Sequence, residues 1–290
     1  MQKNKLILGT VQFGLDYGIN NSKGRPSFSE VKKILNYAYD KKITILDSAE
    51  AYGESHKIIG EFHKQTNKRF NIITKYSNQK KGFPKNITDR IKKNIKDLNV
   101  DNLYCYMFHN FFDLKRYYNP FIEELISLKS QGIVQKIGVS LYTNKEIEYA
   151  IKLKYIDVIQ LPFNLLDNSN QREDVIKKAK KKGIEVHTRS VFLQGLFFKK
   201  EEELSGSLLK IKEDLLKLKE YVNHHKMAEI SLKYVCSKKY IDGVLIGVDS
   251  IQQIIKNINI FENNNKENTE ILSRIDNIVV KEKEILNPQN

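Results

Sequence analysis

Four side chains that together could move a proton to or from a substrate oxygen stand at the ends of successive apolar segments. They are Asp47 and Tyr52 in LDSAEAYG, Lys75 in IITKY and His109 in YMFHN. Transfer of a hydride to a carbonyl leaves an alkoxide, and a phenol with a pKa of about 10 is a weak proton donor by itself. A nearby ammonium would lower the pKa of the phenol, a carboxylate would hold the ammonium, and an imidazole would donate to the carbonyl oxygen. The four residue types therefore predict hydride-transfer chemistry.

Each of the four side chains also has an ordinary structural explanation. An aspartate after a strand often caps the next helix, and a lysine or tyrosine at the rim of a sheet is commonly solvated. A lone histidine at a strand end is commonly a hydrogen-bonded structural residue. The catalytic interpretation therefore depends on all four standing at the ends of neighbouring strands.

Eight short apolar segments rich in β-branched residues recur along the chain, and each is predicted to be a strand. The segments span residues 6–8, 43–46, 71–74, 103–108, 136–139, 157–161, 184–188 and 243–246. Segments with helical spacing follow them, among them 27–41, 144–154, 171–182 and 250–260. Ser27 with Glu30 and Thr143 with Glu146 have capping-box spacing at two helix starts. Continuous apolar strands that alternate with helices are typical of a parallel sheet covered by helices.

Eight such units in 290 residues favour an α/β fold, a (β/α)8 TIM barrel that forms one domain over residues 1–290. A doubly wound open sheet is the alternative. Segment 198–223, after the seventh strand, and the tail from 268 to 290 exceed the repeat and are predicted to be extra helices. Because a barrel builds its site at the carboxyl ends of its strands, the four polar side chains would meet at one rim.

The charge of the chain does not by itself predict a nucleic-acid site. The net charge is +14, but the lysines are dispersed over predicted helices and interleaved with glutamates. This distribution indicates a solvated surface, with at most a modest attraction for anionic ligands such as a phosphate-bearing cofactor or substrate. We therefore predict no nucleic-acid partner.

The sequence predicts a cytoplasmic protein without a membrane span or a metal site. No apolar stretch approaches the roughly 20 residues that a membrane helix needs, and Gly9 interrupts the apolar run near the N-terminus. The two cysteines, Cys105 and Cys236, lie in apolar segments without metal-binding spacing. We expect them to be buried free thiols in a reducing compartment.

The polar residues lie within longer stretches that resemble the aldo-keto reductases over nearly the whole chain. These stretches are LGTVQFG, LDSAEAYGESHKIIGEF, IITKY, LYCYMFHN, GIVQKIGVS, VIQLPFNLLD, the region from GIEVHTRS to LQGL, and GVLIGVDSIQQIIKNI. The resemblance implies reduction of a carbonyl with a nicotinamide cofactor. It also implies a catalytic tetrad of Asp47, Tyr52, Lys75 and His109, in which Tyr52 is the general acid/base and Lys75 lowers its pKa.

The resemblance also implies a cofactor bound in an extended form across the barrel mouth, and the chain has no GxGxxG segment of a Rossmann domain. Ser140 and Gln160 match residues that bind the carboxamide, although Leu141 replaces the usual asparagine. Arg189 stands where many relatives place an aromatic ring against the nicotinamide, and a planar guanidinium can also stack there. The other residues expected along the cofactor are Gly9, Thr10, Ser190, Gly195, Gly247, Asp249, Ser250, Gln253 and Asn257.

The preference between the two nicotinamide cofactors stays open in the sequence. The family favours NADP(H), and its NADPH-dependent members often carry arginine or lysine where Asp249 stands. A carboxylate would repel a 2′-phosphate and accept a hydrogen bond from a ribose hydroxyl, which argues for NAD(H). Lys256, close by in the sequence, would offset that negative charge.

The substrate and the rival functions are less constrained. VQFGLDYGI resembles a branch met among bacterial enzymes of surface-polysaccharide and sugar modification, which implies a sugar or nucleotide-sugar carbonyl. A small aldehyde or ketone is the alternative substrate, and the oligomeric state stays open. A cofactor-binding regulatory barrel with little turnover is the main rival function, and the intact tetrad argues against it. A metal-dependent barrel hydrolase is disfavoured because none of the six histidines forms an HxH pair at a strand end.

Overall fold

Eight parallel strands form a closed barrel within the part of the chain that the computed structural model describes, residues 4–18, 21, 24–78, 85–263 and 269–280. Each strand pairs with the next, and the eighth returns to the first with Leu6 opposite Val244 and Gly9 opposite Gly247. The strands are β1 Leu6–Gly9, β2 Ile45–Asp47, β3 Asn71–Tyr76, β4 Leu103–Phe108, β5 Val134–Ser140, β6 Val158–Pro162, β7 Glu185–Arg189 and β8 Gly243–Gly247. The predicted TIM barrel is confirmed, and the open-sheet alternative is wrong.

Helices surround the barrel and follow its strands. They are α1 Val11–Gly14, α2 Phe28–Asp40, α3 Ser55–Gln65, α4 Ile87–Leu98, α5 Phe111–Ser130, α6 Asn144–Ala150, α7 Ser169–Lys181, α8 Lys212–Tyr221, α9 Met227–Ser237, α10 Ile251–Glu262 and α11 Thr269–Asp276. The capping box at Thr143 and Glu146 is complete. At Ser27 only half of the predicted box forms, because the carboxylate of Glu30 accepts instead from the backbone nitrogen of Ile251, at 2.8 Å. In the described residues, none of the helices combines the length and apolar character needed to cross a bilayer.

Both segments predicted to exceed the repeat contain helical structure. Between β7 and α9 the chain forms short 3-10 turns at Leu193–Phe198, Glu201–Glu203 and Gly206–Ile211, followed by α8. The tail contributes α11, which is held where Asn168 donates to the carbonyl oxygens of Ile275 and Ile278, each at 2.8 Å. Residue 268 and residues 281–290 of the predicted tail lie outside the described part of the chain.

Apolar side chains cover both faces of the strands, which explains why the strands are continuous apolar runs. The outward faces pack against the helices in one large core. The barrel interior holds a separate small cluster made of Ile7, Ile73, Cys105, Met107, Val158 and Leu245. A Cβ at Gly138 would lie 2.9 Å from Met107 Cγ and from the carbonyl oxygen of Val158, so the filled interior leaves room only for glycine there. The interior is thus packed, and open space for a ligand lies at the rim.

Candidate active site

The four polar side chains expected to act together converge at the carboxyl-terminal rim of the barrel. Asp47 ends β2, and Tyr52 follows in the loop before α3. Lys75 is the penultimate residue of β3, and His109 follows β4. Lys75 Nζ lies 2.5 Å from Asp47 Oδ1 and 5.3 Å from the centroid of the Tyr52 ring. The rings of Tyr52 and His109 meet edge to face, with centroids 5.8 Å apart. Parallel strands end at one rim, and this brings residues distant in sequence into one cluster.

Asp47 and Lys75 form an ion pair that is closed off from solvent. Their side chains are 3% and 1% exposed. Lys75 also donates to the carbonyl oxygen of Ser48 at 3.1 Å, and Gln160 Nε2 donates to Asp47 Oδ2 at 2.8 Å. Burial lowers the pKa of Lys75, and the adjacent carboxylate opposes that effect. Gln160, expected from the resemblance to bind the cofactor, thus has its amide nitrogen committed to Asp47.

The pKa of Tyr52 lies above its ordinary value. Burial and the negative charge of Asp47 raise the pKa of Tyr52, and Arg189 is the cation that lowers it. The Lys75 ammonium beside this phenol is ion-paired with Asp47 at 2.5 Å. The phenol is therefore protonated at physiological pH, which suits a group that gives a proton to an alkoxide.

His109 is a neutral imidazole at physiological pH. Burial, followed by the positive charges of Lys75 and Arg189, lowers the pKa of His109 to about 3. A neutral ring carries one N–H, which can donate to a carbonyl oxygen without adding a charge to the site.

These two ionisation states predict a flat pH profile. Since His109 stays neutral above about pH 3 and Tyr52 stays protonated, neither group changes charge between pH 5 and 8. We expect kcat/KM for reduction of an uncharged aldehyde to vary by less than about threefold over that range. The measurement is initial rates at constant ionic strength, after checking that the protein stays folded. A bell-shaped profile with a limb near pH 6 to 7, lost in His109→Asn, would contradict the assigned state of His109.

A cavity of about 440 Å³ begins beside the tetrad and extends along the rim to α10. At one end it is lined by Asp47, Tyr52 and Gln160, and at the other by side chains of α10 and the turn before it. The residues that the resemblance implied for the cofactor and that line the cavity are Gly9, Thr10, Gln160, Arg189, Ser190, Gly195, Gly247, Asp249, Gln253 and Asn257. Its elongated course suits an extended dinucleotide rather than a compact ligand.

Other expected residues lie outside the cavity lining. Lys75 and His109 stand beside Tyr52, as described above. Ser140 is buried at the end of β5, opposite Gln160 in the strand register. Ser250 occupies the N-cap position of α10, but its hydroxyl makes no capping hydrogen bond. Thr10 lines the cavity, yet its hydroxyl donates to the carbonyl oxygen of Asp47 at 3.0 Å and so fastens β1 to β2.

Gln12 is a cavity residue that sequence reasoning missed. Its Oε1 atom is buried and accepts no hydrogen bond from any described residue. A buried amide oxygen without a hydrogen-bond partner is energetically unfavourable. Gln12 is also among the residues that line the cavity. The only signal in the sequence was its position just after the first strand. The cavity is also lined by Val11, Tyr17, Gly18, Asn21, Val191, Phe192, Gln194, Phe198, Ala228, Leu245 and Lys256.

The backbone after β7 has a conformation suited to an anion. Three non-glycine residues, Ser190 (φ 62°), Leu193 (φ 46°) and Gln194 (φ 55°), and then Gly195 (φ 93°), lie in the left-handed region. Such residues are unfavourable by about 1–3 kcal/mol each and cluster at ligand sites. Turns that combine left- and right-handed residues form concave nests of N–H groups that bind phosphates. Ser190, Gln194 and Gly195 of this segment line the cavity.

Glu50 holds the loop that carries Tyr52. It is 2% exposed, and its backbone nitrogen donates to the carbonyl oxygen of Lys75 at 3.1 Å. Its carboxylate accepts from Ser77 N at 3.0 Å, Arg90 Nε at 2.7 Å, Arg90 Nη2 at 2.5 Å, Asn94 Nδ2 at 2.8 Å and Tyr106 Oη at 2.8 Å. The loop is thereby tied to β3, β4 and α4. Sequence reasoning missed this cluster, since nothing in DSAEAYG indicates a partner 40 residues away.

The far end of the cavity is acidic at the start of α10. Gln253 Nε2 donates to Asp249 Oδ1 at 2.7 Å, and Asp249 N donates to Gln253 Oε1 at 3.1 Å. Glu30 adds a second carboxylate at the first backbone nitrogen of the helix. Lys256 is the cation that lines this end of the cavity. Among the described residues, no group of three histidine, cysteine or acidic side chains is arranged to hold a metal ion.

Sequence comparison relates the chain to the aldo/keto reductases. The sequence model of the Aldo/keto reductase family matches residues 5–279. The chain is similar to the uncharacterized oxidoreductase YqkF of Bacillus subtilis (strain 168), with 26% identity over 252 residues, 78% of this chain and 80% of that protein. It is also similar to the aldo-keto reductase str7 of Strobilurus tenacellus, with 25% identity over 57% of this chain and 51% of that protein.

Among solved structures, the fold is similar to that of the aldo-keto reductase AKR11C1 from Bacillus halodurans in its holo form. The TM-score is 0.76 at 19% identity, and the match covers 95% of this chain and 92% of that one. A putative aldo-keto reductase from Pseudomonas aeruginosa matches with a TM-score of 0.64 at 18% identity, over 89% and 88% of the two chains. At these identities the structural likeness concerns the barrel architecture.

Proposed function

The chain belongs to the aldo/keto reductase family, and from this premise we propose that it reduces an aldehyde or ketone with NAD(P)H, with Tyr52 as the proton donor. The observation that carries the proposal is the convergence of Tyr52 with the buried Asp47–Lys75 pair and His109 at one end of an elongated cavity. Membership of the family implies NAD(P)H-dependent carbonyl reduction. The roles of the individual residues are our proposal.

In the proposed reaction each side chain has one task. A bound nicotinamide cofactor would supply the hydride that forms the new C–H bond. His109 donates its N–H to the carbonyl oxygen and polarises the C=O bond. Tyr52 gives its phenolic proton to that oxygen as the negative charge develops, so that the carbonyl becomes an alcohol and Tyr52 a phenolate. Lys75, held in place by Asp47, stabilises the phenolate until a proton returns from solvent.

The residues along the cavity fit a dinucleotide. Ser190, Gln194 and Gly195, in the turn after β7, line the cavity in left-handed conformations of the kind found in phosphate-binding nests. Asp249, Gln253 and Asn257 line the end nearest α10 and would hold the adenosine part. We propose that Gly9, Ser190, Gly195 and Gly247, whose backbone borders the cavity, also contact the dinucleotide.

The charges at the start of α10 support NAD(H) rather than NADP(H). Asp249 lines the cavity there together with one cation, Lys256, while Glu30 lies outside the lining and is paired with Lys33 at 3.7 Å. The carboxylate of Asp249 would repel a 2′-phosphate, whereas it can accept a hydrogen bond from a free ribose hydroxyl. The negative charge of Asp249 thus opposes the NADP(H) preference that the family resemblance implied.

Asp249→Arg is expected to shift the preference toward NADPH. Removing a carboxylate and adding a guanidinium reverses the sign of the charge facing the 2′ position, and we expect the ratio of kcat/KM for NADPH to that for NADH to rise by at least about tenfold. Initial rates with both cofactors measure the ratio. Asp249→Asn is the matched control, because it keeps an acceptor for Gln253 and removes only the charge, and it should give an intermediate ratio. An unchanged ratio in both variants would remove Asp249 as the determinant.

We propose a sugar-derived carbonyl as the substrate, on the resemblance of VQFGLDYGI to reductases of sugar modification. The decisive experiment is oxidation of NADH and of NADPH, followed at 340 nm, with a panel of simple aldehydes, ketones, keto sugars and nucleotide-linked keto sugars. We expect cofactor oxidation that depends on an added carbonyl, and fastest with a sugar derivative. Tight cofactor binding without turnover of any carbonyl would instead support the regulatory-barrel alternative.

A cytoplasmic location stays a prediction. Cys105 is a buried free thiol, and Cys236, which sequence reasoning also expected to be buried, is a free thiol with partial exposure. Unpaired thiols persist most readily in a reducing compartment.

A further inference from the structure

An uncompensated positive charge lies at the reactive end of the cavity. Arg189, the last residue of β7, lines the cavity together with Asp47 and Tyr52. Its guanidinium contacts neutral groups: the Tyr142 ring with the guanidinium carbon 4.0 Å from the centroid, the Leu141 carbonyl oxygen at 3.5 Å and Ser190 Oγ at 3.4 Å. Within the described residues Arg189 forms no ion pair, whereas Lys75 is neutralised by Asp47 at 2.5 Å.

Arg189 stacks on Tyr142, a residue whose backbone is fixed by hydrogen bonds. The backbone nitrogen of Tyr142 donates to Glu146 Oε2 at 2.6 Å, and its carbonyl oxygen accepts from Arg172 Nη2 at 2.7 Å. The backbone of Tyr142, whose ring the guanidinium stacks on, is thus held by residues of α6 and α7. Glu146 is occupied at that helix start, in the capping box with Thr143, and it forms no ion pair with Arg189.

The charge of Arg189 shifts the pKa values of neighbouring groups in the site. It contributes to lowering the pKa of His109 and of Lys75, and it opposes the rise in the pKa of Tyr52. With Tyr52 and His109 neutral, the formal charges of Asp47, Lys75 and Arg189 leave this end of the cavity at +1. A ligand group in this space therefore experiences a positive potential.

We propose that Arg189 makes the site bind the reduced cofactor more tightly than the oxidised one. The inference rests on the proposed function. The nicotinamide ring carries a positive charge when oxidised and none when reduced, while the rest of the dinucleotide is unchanged. A fixed cation at the same end of the cavity therefore penalises only the oxidised ring. At the effective dielectric of a partly solvated protein site, one charge at several ångströms corresponds to a factor of about ten in the dissociation constant.

This selectivity has a direct consequence for turnover. A site that favours the uncharged ring loads the reduced cofactor even when the oxidised form is also present. After hydride transfer the ring becomes positive beside Arg189, which weakens its binding and promotes its departure. The same arginine would also hinder the reverse reaction, which has to begin with the oxidised cofactor.

The test is the ratio of two dissociation constants for one cofactor pair. NAD+ and NADH, and NADP+ and NADPH, are titrated into the full-length protein by calorimetry or by quenching of tyrosine fluorescence. In Arg189→Met the ratio of the oxidised to the reduced constant should fall by about tenfold, chiefly through tighter binding of the oxidised form. Arg189→Lys keeps the charge and should keep most of the wild-type ratio, which separates charge from ring stacking.

Lys256→Met is the matched control, because it removes one cation from the other end of the same cavity. It should change both constants by the same factor and leave their ratio as in the wild type. Circular dichroism checks that each variant is folded. An unchanged ratio of the two dissociation constants in folded Arg189→Met, including the case in which both forms bind equally more weakly, would overturn the inference. The proposed function would still stand. If the wild-type protein binds neither form, the proposed function fails and this inference fails with it.

Discussion

Tyr52→Phe is expected to lower kcat for carbonyl reduction by about a thousandfold. The substitution removes one oxygen and with it the proton that the developing alkoxide needs, and a positioned general acid contributes about 10²- to 10⁴-fold to rate. The ring remains in contact with His109 and beside Lys75, so the shape of the site should persist. Cofactor dissociation constants are expected to stay within about threefold of wild type, since the phenol acts on the substrate oxygen.

The measurement combines steady-state rates with a cofactor titration of the same preparation. Tyr149→Phe, the same chemical change on a ring that is 41% exposed on α6, is the matched control and should leave both quantities unchanged. Retention of more than about a tenth of the activity in Tyr52→Phe would show that another group donates the proton. Loss of cofactor binding would mean that the phenol holds the cofactor, and its assigned role would be wrong.

Glu50→Leu is expected to have the largest effect on stability among the substitutions considered. It leaves the Arg90 guanidinium buried without its carboxylate, and it removes the acceptor of Asn94 and Tyr106. Breaking a buried ion pair from one side costs about 3–5 kcal/mol of unfolding free energy. Urea unfolding followed by circular dichroism measures the loss. Because the same cluster holds the Tyr52 loop, kcat should fall as well in any fraction that remains folded.

A double substitution separates the charge effect from lost packing. When both partners of a buried pair are replaced by apolar residues, most of the penalty for a lone charge disappears. Glu50→Leu combined with Arg90→Met should therefore be more stable than Glu50→Leu alone. Glu61→Leu, on the exposed side of α3, is the surface control, with an expected change within about 0.5 kcal/mol. A loss below about 1 kcal/mol in Glu50→Leu would show that the cluster contributes little to the fold.

The barrel and the convergence of the tetrad were predictable because both depend on local pattern and on simple geometry. Apolar runs followed by helical spacing identified all eight strands, although β2 is Ile45–Asp47 rather than 43–46 and β5 is longer than the predicted 136–139. Strand ends shift by a residue or two because pairing with neighbours, which is not local, decides where a strand stops. The rim position of Asp47, Lys75 and His109 then followed from parallel strands ending on one side.

The structure alone showed how side chains from distant segments share partners. Gln160 donates to Asp47, 113 residues away, and the carboxylate of Glu30 in α2 accepts from Ile251 N at the start of α10. The structure alone also showed that burial and Asp47 raise the pKa of Tyr52. The sequence could suggest a lysine near the phenol, but it could not show that Lys75 is ion-paired with Asp47 while Arg189 contacts neutral groups.

The residue pattern alone thus determined the architecture, the residue types at the rim and the class of chemistry, since these depend on periodicity and on the order of strands. Tertiary structure decided which charges are paired, which polar atoms face the cavity and which ionisation states the site adopts. The physical reason is that electrostatic and hydrogen-bond energies depend on distance and burial in three dimensions. A one-dimensional pattern does not contain those distances.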